Sequence, residues 1–214
     1  MPQGACDLKA TKRKQGTSYD KILKAALQEF SMKGIDGARV DEIVRISGVN
    51  KNMVYHYFDS KEKLFVAVLE SVYENVRARQ QDISLRDVDP VTAMKRLVEH
   101  TADVWIEVPE FIRLLASENL HQAKHVRQSE KIQSMYPPLI DNLRDVLDRG
   151  VKEGFFRPGI DPIDLYISIT SLSAHYVAHH STFEAIFKRK LMTKGKLSER
   201  KERICDMVLR YLKP

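Results

Sequence analysis

Residues 43–57 read IVRISGVNKNMVYHY and have the spacing of two short helices joined by a glycine. Two short helices that cross in a helix-turn-helix need apolar or small side chains where they touch. Gly48 falls at the turn, where the chain commonly needs a residue without a Cβ. The stretch therefore predicts a helix-turn-helix. Its contact positions are Ile43, Ser47, Val49, Val54 and Tyr57, and the adjoining Phe58 is also expected in the core.

The face left outside by these positions carries side chains that suit groove and phosphate contacts. They are Lys51, Asn52, Tyr55 and His56. Asn50 precedes them and can cap the second helix, because its side chain accepts hydrogen bonds from free backbone amides. Any packed pair of helices joined by a glycine can resemble this motif, so an ordinary solvated surface is the alternative interpretation of the face.

Apolar residues continue at helical spacing on both sides of the motif, and no alternating strand pattern, repeat or long interior linker is present. The sequence therefore predicts an all-α fold. Proline, glycine and capping residues set the limits of the predicted helices. These helices cover residues 18–34, 40–47, 51–57, 60–81, 89–108, 109–122, 138–154, 162–180 and 198–211.

Charge is distributed unevenly along the 214 residues, whose net charge is +6. The balance is +4 over residues 1–65, −4 over residues 66–183 and +6 over residues 184–214. An acidic middle argues against a uniformly basic nucleic-acid binder and favours contact with DNA at one end. The basic cluster at residues 12–14 either reaches DNA or only aids solubility, and the basic loop Lys188–Lys196 is expected to be solvated surface.

Composition indicates the cellular compartment in which the protein is expected. The only cysteines are Cys6 and Cys205, too few for a disulfide scaffold, so a reducing compartment is expected. No apolar run approaches the roughly 20 residues that a membrane span needs, and residues 1–17 lack the apolar stretch of a signal peptide. We therefore expect a cytoplasmic protein without a membrane partner.

A wider set of residues resembles the TetR family of regulators over about residues 18–72. It includes Ile22-Leu-x-Ala-Ala-x-x-x-Phe30, Gly34, Val40-Asp-Glu-Ile43, Gly48-Val-Asn-Lys51, Val54-Tyr-His-Tyr-Phe58 and Lys61-Glu-x-Leu64. The resemblance implies a homodimer that places two recognition helices in successive major grooves of double-stranded operator DNA. It implies a DNA-binding domain over 18–65 and a helical effector-binding and dimerisation domain over 66–214. The polar stretch before them, with its basic cluster, is expected to be a flexible basic arm over residues 1–17.

The resemblance also implies roles for single residues. Lys51, Asn52 and His56 match base- or phosphate-contacting positions, and Tyr55 and Lys61 match phosphate contacts. These assignments apply only to the positions that the family pattern matches.

Three positions depart from the family pattern. Asn50 replaces a frequent serine and still caps. Arg39 replaces a frequent threonine, so it cannot cap the first helix of the motif but can reach the same phosphate by charge. Val44 is larger than the usual alanine and is expected to open the helix crossing slightly.

The C-terminal half resembles, more weakly, the branch that controls nitrogen-heterocycle catabolism, such as pyrimidine or nicotinate breakdown. A small polar heterocycle is therefore the expected effector, and its binding is expected to release a repressor from a palindromic operator. The helix over residues 60–81 touches both domains and is the expected lever. Ligand pockets in helical domains are lined mainly by apolar and aromatic groups, although each candidate alone fits a core position as well. The candidates are Trp105, Phe111, Leu115, Asn119, Tyr136, Phe156, Ser168, Ser171, His175 and Tyr176.

The last two long helices are expected to pair with their copies in a four-helix dimer interface, because their apolar surface exceeds what one small domain should expose. The expected members are Leu165, Ile169, Leu172 and Tyr176 from the first helix and Ile204, Met207, Val208 and Tyr211 from the second.

Two other functions stay open at this point. A metal-responsive regulator would use His121 with His125, beside Glu118, or His175 with His179, since histidines four residues apart share a helix face. An enzyme is disfavoured because no nucleophile elbow, phosphate-binding glycine loop or coherent acid/base pair is found. The sequence also gives no sign of a cofactor.

Overall fold

The computed structural model describes residues 17–81 and 85–214, and the arm predicted over residues 1–17 lies outside it except for Thr17. Eleven α-helices occupy the described ranges, as the all-α prediction requires, and no described residue lies in a strand. They are α1 (Ser18–Gly37), α2 (Val40–Ser47), α3 (Lys51–Phe58), α4 (Lys61–Gln81), α5 (Pro90–Glu107), α6 (Pro109–Leu120), α7 (Glu130–Ser134), α8 (Pro137–Lys152), α9 (Pro162–Ala178), α10 (His180–Phe187) and α11 (Lys194–Leu212).

The first helix begins and bends where local residues require it. Thr17 caps α1 by accepting a hydrogen bond from the Asp20 amide at 3.3 Å. Gly34 has a φ of 65°, which interrupts the helical geometry at the residue where the sequence predicts the end of the helix. One more turn follows to Gly37, so Gly34 produces a kink within α1.

The two helices of the motif have nearly the predicted bounds. Gly48 ends α2 in the left-handed conformation, with a φ of 66°. Ile43, Val54 and Phe58 are buried, as predicted. The prediction that Tyr57 is buried is wrong: 40% of it is exposed. Its ring packs edge-on against Tyr19 at 5.7 Å between centroids, so Tyr57 lies at the edge of the core and not inside it.

The apolar side chains form two cores. The first joins α1, α2 and α3 to α4, α6 and the end of α5. The second lies between the first half of α5, α8, α9 and α11. The first core continues across the domain boundary predicted after residue 65, because α6 packs directly against α1. The helix-turn-helix is thus fixed on α4 and α6 by shared apolar packing.

Several elements of the C-terminal half differ from the sequence prediction. The short helices α7 and α10 were not predicted. The predicted helix over residues 162–180 ends at Ala178, and α10 begins two residues later. The last helix begins at Lys194, where Thr193 accepts a hydrogen bond from the Lys196 amide at 3.4 Å, and not at Ser198. This earlier start takes the end of the predicted basic loop into a helix.

Most residues of the predicted dimer stripe lie inside the protomer, so that stripe as a whole cannot face a partner. Leu165, Ile169, Ile204 and Val208 are buried in the second core, and Leu172 packs against it. The two helices use these side chains to pack against α5 and each other. Of the predicted set, Met207 and Tyr211 are exposed. Other large apolar residues also face outward, and the exposed ones on α9 are Ile163 and Ile167.

None of the helices within residues 17–81 and 85–214 combines the length and the apolar character needed to cross a membrane.

Candidate functional site

The outward face of α3 is set by a cap and two buried anchors. The Asn50 side chain accepts a hydrogen bond from the Met53 amide at 2.9 Å, which satisfies one free donor of the first turn. Val54 and Phe58 hold the helix against the core. The opposite face is exposed and carries all four predicted contact residues: Lys51, Asn52, Tyr55 and His56.

Lys51 is tied to the helix before it. Its Nζ lies 2.7 Å from the Asp41 carboxylate in an exposed ion pair. The hydrogen bond to Asp41 raises the pKa of Lys51 above its ordinary value, so the lysine stays cationic over the physiological range. Exposed pairs of this kind contribute little to stability, because water and salt screen the two charges. A phosphate can therefore replace Asp41 as the partner at little cost.

Lys61 reaches the start of α2, where Arg39 is the residue before the first turn. The Lys61 ammonium donates to the carbonyl of Ala38, the residue before Arg39, at 3.2 Å. The Arg39 side chain is exposed and does not cap α2, as predicted from its chemistry. Its backbone amide donates a hydrogen bond to Glu29 Oε1 at 3.2 Å. Two cations beside free helix amides make a position that favours an anion.

Some predicted effector residues lie together in the C-terminal half. Trp105 stacks on Phe111 with centroids 5.2 Å apart, and both side chains are buried. Phe111 meets the edge of Tyr73 at 4.9 Å, and Tyr73 in turn meets Tyr136 at 6.0 Å. The aromatic row formed by Trp105, Phe111, Tyr73 and Tyr136 runs from α5 through α6 and α4 to the start of α8. Leu115 is half-buried against the same core.

The other predicted effector residues do not join this row. Asn119 is exposed and donates to the Leu115 carbonyl of its own helix at 2.8 Å. The exposed face of α9 carries Ser168, Ser171 and His175. Phe156 is buried in the second core, where its ring lies over Gly150.

Tyr176 belongs to a different, basic cavity of about 330 Å³ between the end of α9 and α11. Its hydroxyl donates to the Leu191 carbonyl at 3.0 Å, and the Arg200 guanidinium lies 5.1 Å from its ring. Arg189 and Lys190 also line this cavity, so the loop Lys188–Lys196 forms part of a concave surface.

Sequence reasoning missed Arg77, which is 7% exposed on α4. Its guanidinium carbon lies 4.4 Å from the centroid of the Tyr136 ring, and its Nη2 donates to the Tyr166 hydroxyl at 3.0 Å. Arg77 follows Tyr73 by four residues and therefore continues the apolar stripe of α4. A cation in that stripe was the signal that could have identified it.

Two phenols near Arg77, those of Tyr136 and Tyr73, stay protonated. Burial raises the pKa of Tyr136 far above its ordinary value, although the neighbouring Arg77 charge opposes the shift. Burial likewise raises the pKa of Tyr73. Both side chains are therefore neutral at physiological pH and keep a hydroxyl proton to donate.

The histidine pairs considered for metal binding have other partners. His125 Nδ1 lies 2.7 Å from the Glu118 carboxylate, and His121 Nε2 lies 3.2 Å from Asp36. His175 and His179 lie face to face at 4.2 Å. Across the described residues, no group of three or more His, Cys, Asp or Glu side chains could hold a metal ion. The geometry gives the metal-responsive alternative no support.

Helices throughout the described ranges and a capped helix with an outward-facing polar surface are typical of helix-turn-helix DNA-binding regulators. Residues 22–68 match the family described as bacterial regulatory proteins, tetR family. Residues 90–208 match the family described as tetracyclin repressor-like, C-terminal domain. The chain belongs to the TetR family and is a DNA-binding transcriptional regulator.

Similar proteins cover the whole architecture. The chain is 34% identical to the HTH-type transcriptional repressor NicS of Pseudomonas putida, over 91% of this chain and 92% of that protein. It is 29% identical to the HTH-type transcriptional regulator RutR of Escherichia coli K12, over 100% of each chain.

Solved structures share the fold. The regulator SCO4942 of Streptomyces coelicolor superposes with a TM-score of 0.68 at 24% identity, covering 92% of this chain and 98% of that one. The ketosteroid transcriptional regulator KstR2 of Mycobacterium tuberculosis gives a TM-score of 0.67 at 19% identity, covering 94% and 97%.

Proposed function

We propose that this protein is a homodimeric repressor that leaves a palindromic operator when a small-molecule effector binds its C-terminal half. The observation that carries the proposal is the α3 face. A cap fixes the start of the helix, two buried anchors fix its rotation, and four polar or aromatic side chains remain in solvent. A recognition helix needs this combination of rigidity and exposed hydrogen-bonding groups.

The proposed contacts with DNA fall into two groups. Lys51, Tyr55 and the pair formed by Arg39 and Lys61 bind phosphates, because they combine charge or a hydroxyl with exposure or proximity to helix amides. Asn52 and His56 reach base edges in the major groove, where amide and imidazole groups read donor and acceptor patterns. Asn50 serves mainly as the cap.

The dimer interface that we propose uses the outward faces of α9 and α11. Ile163 and Ile167 on α9, with Met207 and Tyr211 on α11, are between 41% and 54% exposed in the single chain. Large apolar side chains on neighbouring helices mark surfaces that a partner covers. A second copy of this chain is the proposed partner, since operator recognition by two half-sites requires two recognition helices about 34 Å apart.

Release from the operator follows from linkage between two sites. An effector that prefers a different separation of the recognition helices lowers operator affinity by its differential affinity for the two states, typically about 1–3 kcal/mol. The helix α4 is the proposed lever, because Lys61 at its start lies at the DNA-binding end and Tyr73 lies in the aromatic row. That row suits a flat ring, and we propose a small polar heterocycle as effector.

The test is to recover the DNA fragments that the purified protein retains from its own genome and to sequence them. Selective retention of a few fragments that share an inverted repeat is the expected result. Gel-shift titration with these fragments then gives the affinity, and addition of candidate heterocycles should release the DNA. Retention of all fragments alike, with no shared inverted repeat, would overturn the proposal.

A further inference from the structure

Arg77 is a buried cation that lacks an ion-pair partner in residues 17–81 and 85–214. One guanidinium nitrogen, Nη2, donates to the Tyr166 hydroxyl at 3.0 Å. The other two, Nε and Nη1, are buried and have no hydrogen-bond partner. A buried guanidinium normally has its N–H groups satisfied by carboxylates or carbonyls, because an unpaired buried charge is costly.

The aromatic neighbours of Arg77 stabilise the charge only in part. The guanidinium carbon lies 4.4 Å from the centroid of Tyr136 and 5.9 Å from that of Tyr166. Contact with an aromatic face attracts a cation but leaves its N–H donors without acceptors. The N–H groups of Nε and Nη1 therefore remain available to a group that accepts hydrogen bonds.

The buried carboxylates of the described residues are already engaged. Glu118 accepts from the backbone amides of His125 and Val126 at 2.6 and 2.9 Å, and its second oxygen lies 2.7 Å from His125 Nδ1. Glu29 accepts from Lys33 and from the Arg39 amide. Neither carboxylate can turn to Arg77 without abandoning those bonds, so the missing negative charge has to come from outside this set.

We propose that Arg77 binds the carboxylate of a flat, aromatic monoanion, and that this anion is the effector of the proposed function, on which the inference rests. A single unpaired cation calls for a single negative charge. The rings of Tyr136 and Tyr73 stand beside it, and the row continues through Phe111 to Trp105. Aromatic side chains beside the guanidinium attract a further aromatic ring through edge or face contacts, while guanidinium N–H groups give its carboxylate charge-assisted hydrogen bonds.

The position of Arg77 also connects binding to the DNA-binding end. Arg77 belongs to α4, whereas Tyr166 belongs to α9 and Tyr136 directly precedes α8. An anion held by Arg77 and by these phenols joins α4 to the core of the C-terminal half. Such a bond stabilises one placement of the helix α4 relative to another. An effector must favour one placement in this way if it is to release the operator.

The test compares three carboxylates, pyridine-3-carboxylate, benzoate and furan-2-carboxylate, each with the carboxamide of the same ring. The two members of a pair have nearly the same shape and differ in charge. Isothermal titration calorimetry on the full chain gives the affinities, and the fluorescence of Trp105, the only tryptophan, reports on the aromatic row. We expect at least one carboxylate to bind about tenfold or more tightly than its amide. Equal affinity for acid and amide, or no binding by any of the carboxylates, would overturn the inference.

Substitution at Arg77 gives the second arm. Arg77→Met should weaken carboxylate binding about 10- to 100-fold and leave carboxamide binding nearly unchanged, because only the charged hydrogen bonds are removed. Arg144→Met is the matched control, since it removes an exposed arginine that pairs with Asp141 on α8. Retention of wild-type carboxylate affinity in Arg77→Met would contradict the inference.

The design separates folding, this inference and the proposed function. Arg77→Met should unfold at no lower temperature than the wild type, because it removes an unpaired buried charge. If it does not fold, Arg77→Lys keeps the charge without the planar fork and should bind the carboxylate more weakly than the wild type. Operator binding is measured on the same preparations. Normal operator binding without carboxylate binding contradicts only the inference, whereas an absence of selective DNA binding by the wild type contradicts the proposed function.

Discussion

Ser117 of α6 lies against Gly34, the kink residue of α1. Its Oγ is 3.3 Å from the Ile35 amide and accepts a hydrogen bond from it. A Cβ added at Gly34 would come within 3.0 Å of the same oxygen. The kink thus frees an amide of α1 from the helical ladder, and a side chain from the C-terminal half satisfies it. The bond ties α1, which packs on the helix-turn-helix, to α6 independently of α4.

Replacement of Ser117 by alanine should lower the free energy of unfolding by about 1 kcal/mol, the usual net value of one hydrogen bond. Operator affinity without effector should change little, because the α3 face is untouched. The effector response should change, since one of the connections between the halves is removed. Urea unfolding measures the stability, and gel-shift titration with and without effector measures the operator affinity and the effector response. Ser134→Ala, which removes an exposed hydroxyl of α7, is the control, and an equal decrease of stability in that control would contradict the role of Ser117.

The cap of the recognition helix makes a separate prediction. Asn50→Ala should lower the free energy of unfolding by about 1 kcal/mol, because a first-turn amide of α3 loses its acceptor, whereas Asn50→Asp and Asn50→Ser should retain most of the stability. Chemical denaturation of the free protein measures the difference. Full stability of Asn50→Ala, accompanied by weaker operator binding, would show that Asn50 serves as a DNA contact and not mainly as a cap.

The sequence predicts α2 and α3 well because local chemistry determines them. Gly48 can take the left-handed turn without strain, Asn50 caps the next helix, and the apolar spacing fixes which face is buried. The helix α10 was not predicted because such signals are absent at its start. The helix α10 follows α9 after a single residue, His179, with no proline or glycine between them. The apolar pattern therefore predicts a single helix that extends past Ala178, where α9 ends.

The predicted dimer stripe is largely buried in the protomer for a tertiary reason. The helix α9 is apolar on more than one face, so spacing alone cannot decide whether Ile167 or Ile169 meets the rest of the protomer. Packing against α5 decides it and buries Ile169. The effector residues were chosen by type, which gathered side chains from separate surfaces. Arg77 was not predicted as a buried residue, because a charged residue that follows an apolar stripe is normally taken to mark where the buried face ends.

The salt dependence of operator binding tests the division of roles on α3. Lys51→Ala and Lys61→Ala should weaken binding to every sequence, and each should reduce the slope of log affinity against log salt by about 1, because each removes one phosphate partner. Asn52→Ala and His56→Ala should instead relax discrimination at one operator position by about 1–3 kcal/mol. Fluorescence anisotropy over a salt series and a set of mutated operators measures both effects. Lys152→Ala, on α8, is the charge control, and a slope change in that variant equal to that of Lys51→Ala would contradict the assignment.

The last prediction separates the surface of the protomer from its core. Ile167 is 54% exposed and Val208 is 3% exposed, although both belong to the helices proposed to dimerise. Ile167→Asp together with Tyr211→Asp should leave the helical content and the cooperative unfolding intact, because neither side chain is buried in the single chain. The variant should sediment as a monomer, since two charges in an apolar interface are costly to bury. Val208→Asp places the charge in the second core, so it should lose folded structure instead of dissociating cleanly. Sedimentation velocity and circular dichroism, run on both variants, distinguish the two results. A folded dimer in the Ile167→Asp and Tyr211→Asp variant would place the interface on another face of the protein, and operator binding by that dimer should then match the wild type.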